Sequence, residues 1–193
     1  MEKEQLKRIF EFLEEKEGHN APFRWKILNN KPITKEDLNV KGDLNLERTE
    51  ITSLPEGLNV DGNLYLYESN ITSLPKGLKV RGLFLASSRI KSLPEDLKVE
   101  GLDLGGTEIT KLPKGLKVKY NLVLKHSKIE SLPEGLIVGN DLNLRNCKNL
   151  KSLPKGLKVG GDLYIYGTPI NEIEDNDEIL EMIKPGYIKG NIY

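Results

Sequence analysis

Apolar residues return along this chain at an interval of about twenty residues, and most of them are leucines. A Leu-Pro pair recurs from Leu54 to Leu153 in steps of 20, 19, 19, 20 and 21 residues. Each pair belongs to a near-copy of one phrase, such as SLPKGLKVGGDLYIYGTPI at 152–170. An earlier copy without Leu-Pro begins at Ile33, so that seven copies fill residues 33–170. A unit of this size cannot enclose its own core, so the copies are predicted to stack and share one.

Each copy contains two apolar residues separated by one outward position, as Leu83 and Leu85 are, which is the spacing of a short β-strand. Stacked copies therefore predict a mostly β solenoid, a right-handed coil with a parallel sheet of seven strands on one face. The return segments, LPxGLxV, contain too much Pro and Gly for a helix, so they are predicted to be extended or polyproline-like. The Gly after LPx, replaced once by Asp96, favours a left-handed turn.

The two ends are predicted to be caps on one continuous domain, because the terminal repeats of a solenoid expose core. Residues 1–32 form an expected N-terminal helical cap, with Phe23 and Trp25 following an apolar stripe of Leu6, Ile9, Phe10 and Leu13. A separate helix that binds a partner is the alternative. Residues 171–193 form an expected C-terminal cap, with a short acidic helix over 175–183. The segment 188–193 then echoes 60–65 and is predicted to be an eighth, truncated strand.

The phrase VRGLFLASSRI at 80–90 resembles the strand-and-turn pattern of the leucine-rich repeat family, apolar-x-x-Leu-x-Leu-x-x-Asn-x-Leu. The SLPEDL that follows is similar to the return arm of the short, Leu-Pro-containing bacterial subtype found in secreted effectors. The resemblance covers about 140 residues. Five copies depart from it by an additional residue before the first strand leucine, which predicts a bulge where the strand begins. The Asn position of the family departs as well, and forms a column of Thr49, Ser69, Ser88, Thr107, Ser127, Cys147 and Thr168.

We call this column the spine. The resemblance implies that its side chains point inward, because in the family the side chain at this position bonds to backbone groups at the turn. Hydroxyls and a thiol are small donors that can satisfy the same groups. We therefore expect Cys147 to be a packed structural residue, since only His126, one repeat earlier, is a base that could activate it. Loss of the Ser88 or Thr107 hydroxyl is expected to destabilise the fold.

Two outward columns of the predicted sheet, called the strand face, carry an excess of aromatic residues. The columns are Asn45, Tyr65, Phe84, Asp103, Val123, Asn143 and Tyr164, and then Glu47, Tyr67, Ala86, Gly105, Lys125, Arg145 and Tyr166. Five of the chain's twelve aromatic residues fall on these fourteen positions. Exposed aromatic side chains are enriched at binding hot spots, whereas the alternative is that aromatics simply suit strands. The predicted partner-binding residues are Tyr65, Tyr67, Phe84, Asp103, Val123, Lys125, His126, Arg145, Tyr164 and Tyr166.

Charge and composition narrow the classes of partner. Twenty-nine basic and twenty-nine acidic residues give no net charge, which argues against binding to nucleic acid or to anionic membranes. We find no apolar run of membrane-spanning length and no signal-peptide pattern, and a single cysteine excludes an internal disulfide. We expect a monomer in the cytoplasm of the producing cell or of an infected host cell. A column rich in lysine on the return arms (Lys79, Lys98, Lys117 and Lys158) is either a solvated edge or an anionic docking stripe.

The sequence contains no pairing of His with a nucleophile, no phosphate-binding loop and no metal-ligand spacing, so we expect no catalytic residue, metal or cofactor. The predicted function is a non-catalytic protein–protein interaction module. The resemblance implies a bacterial or phage effector, or an antagonist of host defence, that occupies the surface of a target protein. Two alternatives remain open: a carbohydrate-binding repeat protein, and a hydrolase that uses carboxylates of the exposed face.

Overall fold

A computed structural model describes residues 4, 5, 7–9, 11, 12, 23–173 and 175–193. The chain is a parallel β-solenoid with few helices. Its strands are, in chain order, β1 (Asn39–Val40), β2 (Leu44–Asn45), β3 (Asn59–Val60), β4 (Leu64–Tyr65), β5 (Gly82–Phe84), β6 (Gly101–Asp103), β7 (Lys117–Val118), β8 (Leu122–Val123), β9 (Ile137–Val138), β10 (Leu142–Asn143), β11 (Lys158–Val159), β12 (Leu163–Tyr164) and β13 (Tyr187–Ile188). The mostly β solenoid with small helical caps is thereby confirmed.

The sheet behind the strand face has seven parallel strands in the order β2-β4-β5-β6-β8-β10-β12. Equivalent leucines are in register, so that Leu64 pairs with Leu83 and Leu102 pairs with Leu122. The second apolar residue of each strand phrase is also buried, because the period of two sends both side chains to the same side. The core is therefore one continuous stack of leucines, isoleucines and valines running the length of the solenoid.

The return arms form further parallel pairing, which the sequence pattern did not indicate. Strands β7, β9, β11 and β13 form one sheet, and β1 pairs with β3. Each of these strands ends at a buried or half-buried Val or Ile. The return arms of the third and fourth copies form isolated bridges instead, Asn59 with Lys79, Lys79 with Lys98 and Val99 with Val118. The extended return arm is thus held by neighbours about twenty residues away, and not by local preference.

Most turns of the coil contain two left-handed corners. The first lies at the predicted glycine, where Gly57, Gly77, Gly115, Gly135 and Gly156 have φ between 67° and 78°. The expectation fails at Asp96, which is outside the left-handed region; its carboxylate instead accepts a hydrogen bond from the Gly77 N–H at 2.9 Å. The second corner follows each strand of the seven-stranded sheet, at Arg48, Glu68, Ser87, Gly106, His126, Asn146 and Gly167.

The spine residues fill the inner side of this second corner. Thr49, Ser69, Thr107 and Thr168 each donate a hydrogen bond of 2.7–2.8 Å to the carbonyl three residues earlier. The Cys147 thiol donates to the Leu124 carbonyl of the preceding repeat at 3.0 Å. Ser88 differs from the expectation, because its buried hydroxyl has no hydrogen-bond partner among the residues that the structure describes. The Leu85 carbonyl accepts the Ser88 backbone N–H instead, at 3.0 Å.

At the N-terminal end, helix α1 (Phe23–Leu28) buries Phe23 and Lys26. Residues 4, 5, 7–9, 11 and 12 are also helical. Of the predicted stripe, Ile9 is 53% exposed, and Leu6, Phe10 and Leu13 lie outside the described residues.

A buried ion pair fastens α1 to the first repeat. The Lys26 ammonium lies 3.0 Å from both carboxylate oxygens of Asp37, and the two side chains are only 3% and 4% exposed. The Thr34 backbone N–H also donates to Asp37, at 2.8 Å. Burial raises the pKa of Asp37, but the hydrogen bonds from Thr34 and Lys26 and the Lys26 charge outweigh it, so the net pKa is lowered.

The C-terminal end is closed by a 3₁₀ turn at Pro169–Glu172, helix α2 (Asn176–Ile183) and a last partial turn of the coil. The Asp175 carboxylate caps α2 by accepting the Asp177 N–H at 2.8 Å, and Ile179 and Ile183 are buried. Strand β13 then pairs with β11, and Ile192 pairs with Leu163. Among the helices that the structure describes, none is long and apolar enough to cross a membrane.

Candidate binding face

The first aromatic cluster consists of Tyr65, Tyr67 and Phe84, on the adjacent strand phrases of β4 and β5. The Tyr65 and Phe84 rings are stacked, with centroids 5.0 Å apart and planes 10° apart. The Tyr67 centroid lies 6.4 Å from that of Tyr65 and 6.0 Å from that of Phe84. Burial, followed by the charges of Asp103 and Glu47, raises the pKa of Tyr67 to about 12, so its hydroxyl is neutral at ordinary pH. The cluster is a half-buried, uncharged platform.

The second aromatic cluster consists of Tyr164 and Tyr193. Tyr164 lies four strand spacings, about 19 Å, from Phe84 and five, about 24 Å, from Tyr65. Their rings stack with centroids 5.2 Å apart and planes 12° apart. The Arg145 guanidinium lies over the Tyr164 ring at 4.2 Å. Tyr166 is 65% exposed beside them. Tyr193 was not among the predicted binding residues, although the echo of 60–65 in 188–193 places it in register with Tyr164.

The segment between the clusters is polar and charged. Asp103 is half-buried, and its carboxylate accepts the Gly105 N–H at 2.9 Å. Burial raises the pKa of Asp103 above its usual value, against the opposing effects of the Gly105 hydrogen bond and the Lys125 charge. Val123 is half-buried and Lys125 is exposed. His126 lies at the left-handed corner after β8, where its Nε2 is 3.4 Å from Asn146 Nδ2.

In the five copies with the additional residue the strand begins at the leucine, whereas in the two shorter copies it begins one residue earlier, at Gly82 and Gly101. The additional residue allows an Asn or Asp directly before the strand leucine, and this side chain accepts the backbone N–H of its equivalent in the next copy. The bonds run from Asn63 to Asp43 (2.7 Å), Asp141 to Asn121 (3.1 Å), Asp162 to Asp141 (2.9 Å) and Asn191 to Asp162 (2.8 Å). We call this row the Asx ladder. It ties neighbouring copies together directly before the strand.

The Asx ladder is interrupted in the third and fourth copies, where Gly82 and Gly101 occupy its positions. A cleft of about 450 Å³ opens at the interruption, between the first aromatic cluster and Val123. The lining residues are Asn63, Arg81, Gly82, Phe84, Glu100, Gly101, Leu102, Asp103, Tyr120, Asn121 and Val123. The sequence carries a signal for this cleft, because these two copies are one residue shorter between Val and the strand leucine.

Charged residues that directly follow the valine of each return arm are mostly paired, and two of them, Arg81 and Glu100, line the cleft. Lys41 bonds to Asp61 at 2.8 Å, and Lys119 bonds to Glu100 at 3.3 Å. Arg81 stands between these pairs, is exposed, and forms no ion pair within the part of the chain that the structure describes.

The Cys147 thiol lies in the core and is not exposed. Burial raises its pKa, although hydrogen bonds with Ser127 act in the opposite direction, so the thiolate is disfavoured. Within the described residues, no three His, Cys, Asp or Glu side chains are grouped so as to hold a metal ion.

The fold and the face define a parallel β-solenoid repeat protein. No protein-family model matches the chain, and no curated protein is significantly similar to it. A solenoid is compatible with a binding module, but the fold alone does not identify the leucine-rich repeat family.

Proposed function

We propose that this protein is a non-catalytic module that binds the surface of a target protein through its strand face. The observation that carries the proposal is the pair of aromatic clusters on one continuous sheet. Aromatic side chains contribute most of the affinity at many protein interfaces. Because the rings here are stacked on neighbouring rings and on Arg145, little side-chain freedom is lost on binding.

The arrangement of the rings favours a protein over a carbohydrate. A sugar stacks on the free face of an aromatic ring, and the Tyr65–Phe84 stack leaves only one face of each ring open. Tyr164 is covered by Tyr193 and by Arg145. The separation of the clusters, about 19–24 Å, suits a protein surface or an extended peptide better than a small molecule.

The wider biological role rests on the sequence resemblance. We infer membership of the leucine-rich repeat family, in its short bacterial subtype, from the repeated phrase at 33–170. That likeness favours a bacterial or phage effector, or an antagonist of host defence, which acts as a monomer in the cytoplasm of the producing or infected cell. This step is an analogy at the level of the fold.

The test is affinity capture from bacterial lysates, followed by measurement of the dissociation constant for the captured protein. The variant Tyr65→Ala/Phe84→Ala/Tyr164→Ala is expected to lose about 2 kcal/mol or more of binding free energy. The matched control is Lys79→Ala/Lys98→Ala/Lys117→Ala on the return arms, which should bind as the natural protein does. Loss of binding in the lysine variant alone would move the site to the return arms. Binding to a glycan array instead of a protein would favour the carbohydrate alternative.

A further inference from the structure

The backbone conformation does not require a glycine at Gly101, one of the two glycines that leave the cleft open. A Cβ on Gly101 would meet nothing within 4 Å, and Gly101 is not in the left-handed region. A larger residue therefore fits at this position. At Gly82, by contrast, a Cβ would lie 2.8 Å from the Phe84 ring and 2.5 Å from Asn63 Oδ1. Gly82 lets the Phe84 ring lie over the backbone, and Gly101 leaves the neighbouring space open.

The walls of the cleft combine apolar surface with unused hydrogen-bond acceptors. Phe84 and Val123 supply aromatic and aliphatic surface. Asn63 Oδ1 is the end of an interrupted ladder and accepts no hydrogen bond within the described residues. The Asp103 carboxylate bonds only to the Gly105 N–H through one oxygen, and no ammonium or guanidinium of the described residues lies within 4 Å of it.

These groups match one kind of occupant. A long side chain with an apolar stem can lie between Phe84 and Val123 while its cationic end reaches the acceptors. A guanidinium is the best fit, because it stacks on aromatic rings and donates several hydrogen bonds to a carboxylate. Burial raises the pKa of Asp103, and a bound cation would compensate that cost. The opposing charges are Lys125, which is exposed, and Arg81, which is exposed on the rim.

We propose that this cleft is the anchor pocket of the strand face and receives one arginine side chain of the partner polypeptide, with Asp103 as its counter-ion. The inference rests on the proposed function and gives it a specific partner chemistry. It places the anchor beside the first aromatic cluster, so one arginine and its neighbouring residues would contact both.

The probe is the peptide acetyl-Gly-Arg-Gly-amide, titrated into the full-length, ¹⁵N-labelled protein and followed by NMR. We expect saturable shifts of the Gly82, Gly101 and Gly105 amide signals, with a dissociation constant on the order of millimolar. Asp103→Asn should weaken binding about tenfold, and Gly101→Leu should abolish it by filling the cleft. Glu134→Gln, the same change of charge at an exposed site on a return arm away from the cleft, should leave the affinity unchanged. Circular dichroism and melting of each variant establish that it is folded.

Three results would contradict the proposal of an arginine pocket. They are an absence of saturable shifts, equal affinity in Asp103→Asn and the natural protein, and stronger binding of acetyl-Gly-Glu-Gly-amide than of the arginine peptide. Two further comparisons distinguish a failure of the proposed strand-face function from a failure of the pocket. If the arginine peptide binds in the cleft but the triple aromatic variant retains full affinity for a captured protein, the strand-face proposal fails. If the aromatic variant loses the protein while Gly101→Leu retains it, only the pocket fails.

Discussion

The rings of Tyr65 and Phe84 stack across adjacent strands at a centroid distance of 5.0 Å. Cross-strand neighbours of this kind come from copies nineteen residues apart, and the register of the leucines brings them together. The stack is therefore a part of the fold, and under the proposed function it is also a pre-arranged contact surface. Its contribution to the free energy of unfolding and its contribution to partner binding can be measured separately.

The coupling between these two rings is expected to contribute about 0.5–1.5 kcal/mol to the free energy of unfolding. A double-mutant cycle of Tyr65→Leu and Phe84→Leu, measured by urea unfolding, gives this value. Tyr166→Leu is a suitable control, because Tyr166 is 65% exposed and should couple to neither. Additive effects of the two leucine substitutions would show that the stack does not stabilise the fold.

The spine offers a matched pair of hydroxyls. Thr107→Val removes a buried hydrogen bond of 2.7 Å to the Leu104 carbonyl, so it should lower the free energy of unfolding by about 1–3 kcal/mol. Ser88→Ala removes a buried hydroxyl that has no partner within the described residues, so it should be neutral or stabilising. Urea unfolding of both variants measures the difference, and equal destabilisation would contradict this account of the spine.

The two glycines of the cleft form a second matched pair. Gly82→Ala should destabilise by about 1–3 kcal/mol, because the new methyl group must displace the Phe84 ring. Gly101→Ala meets no neighbour and should be neutral or stabilise by a few tenths of a kcal/mol. Thermal unfolding distinguishes the two variants, and NMR shifts of the Phe84 ring should change in the first alone. An unchanged stability and unchanged Phe84 shifts in Gly82→Ala would contradict the packing described.

The Lys26–Asp37 pair predicts a dependence of stability on pH. The pKa of Asp37 is lowered from its ordinary 3.8 in the folded state, so the pair stabilises the protein above that value. This contribution is lost as the pH falls through the lowered pKa. Asp37→Asn leaves the Lys26 ammonium buried without its counter-charge and should cost about 3–5 kcal/mol near neutral pH. The difference in stability between Asp37→Asn and the natural protein should then shrink in acid, and a difference that is constant with pH would contradict the role of the carboxylate.

The repeat made the seven-stranded sheet and its register predictable, because the alternation around Leu83 and Leu85 recurs in every copy. The pairing of the return arms was not predictable, since two-residue strands such as Lys117–Val118 have little preference of their own. The left-handed conformation of Arg48 and His126 was not predictable either, because neither residue type signals that conformation. The cleft depends on a difference of one residue between copies, whose effect becomes visible only when the copies are stacked.

The central claim is that a protein partner contacts the strand face. Site-specific photo-crosslinking tests it most directly, with a photoreactive phenylalanine placed singly at Tyr166 or Ala86 on the strand face, and at Lys79 or Lys117 on the return arms. The account predicts that the same protein is crosslinked from both strand-face positions and from neither return-arm position. Crosslinking from Lys79 and Lys117, with none from Tyr166 and Ala86, would contradict it.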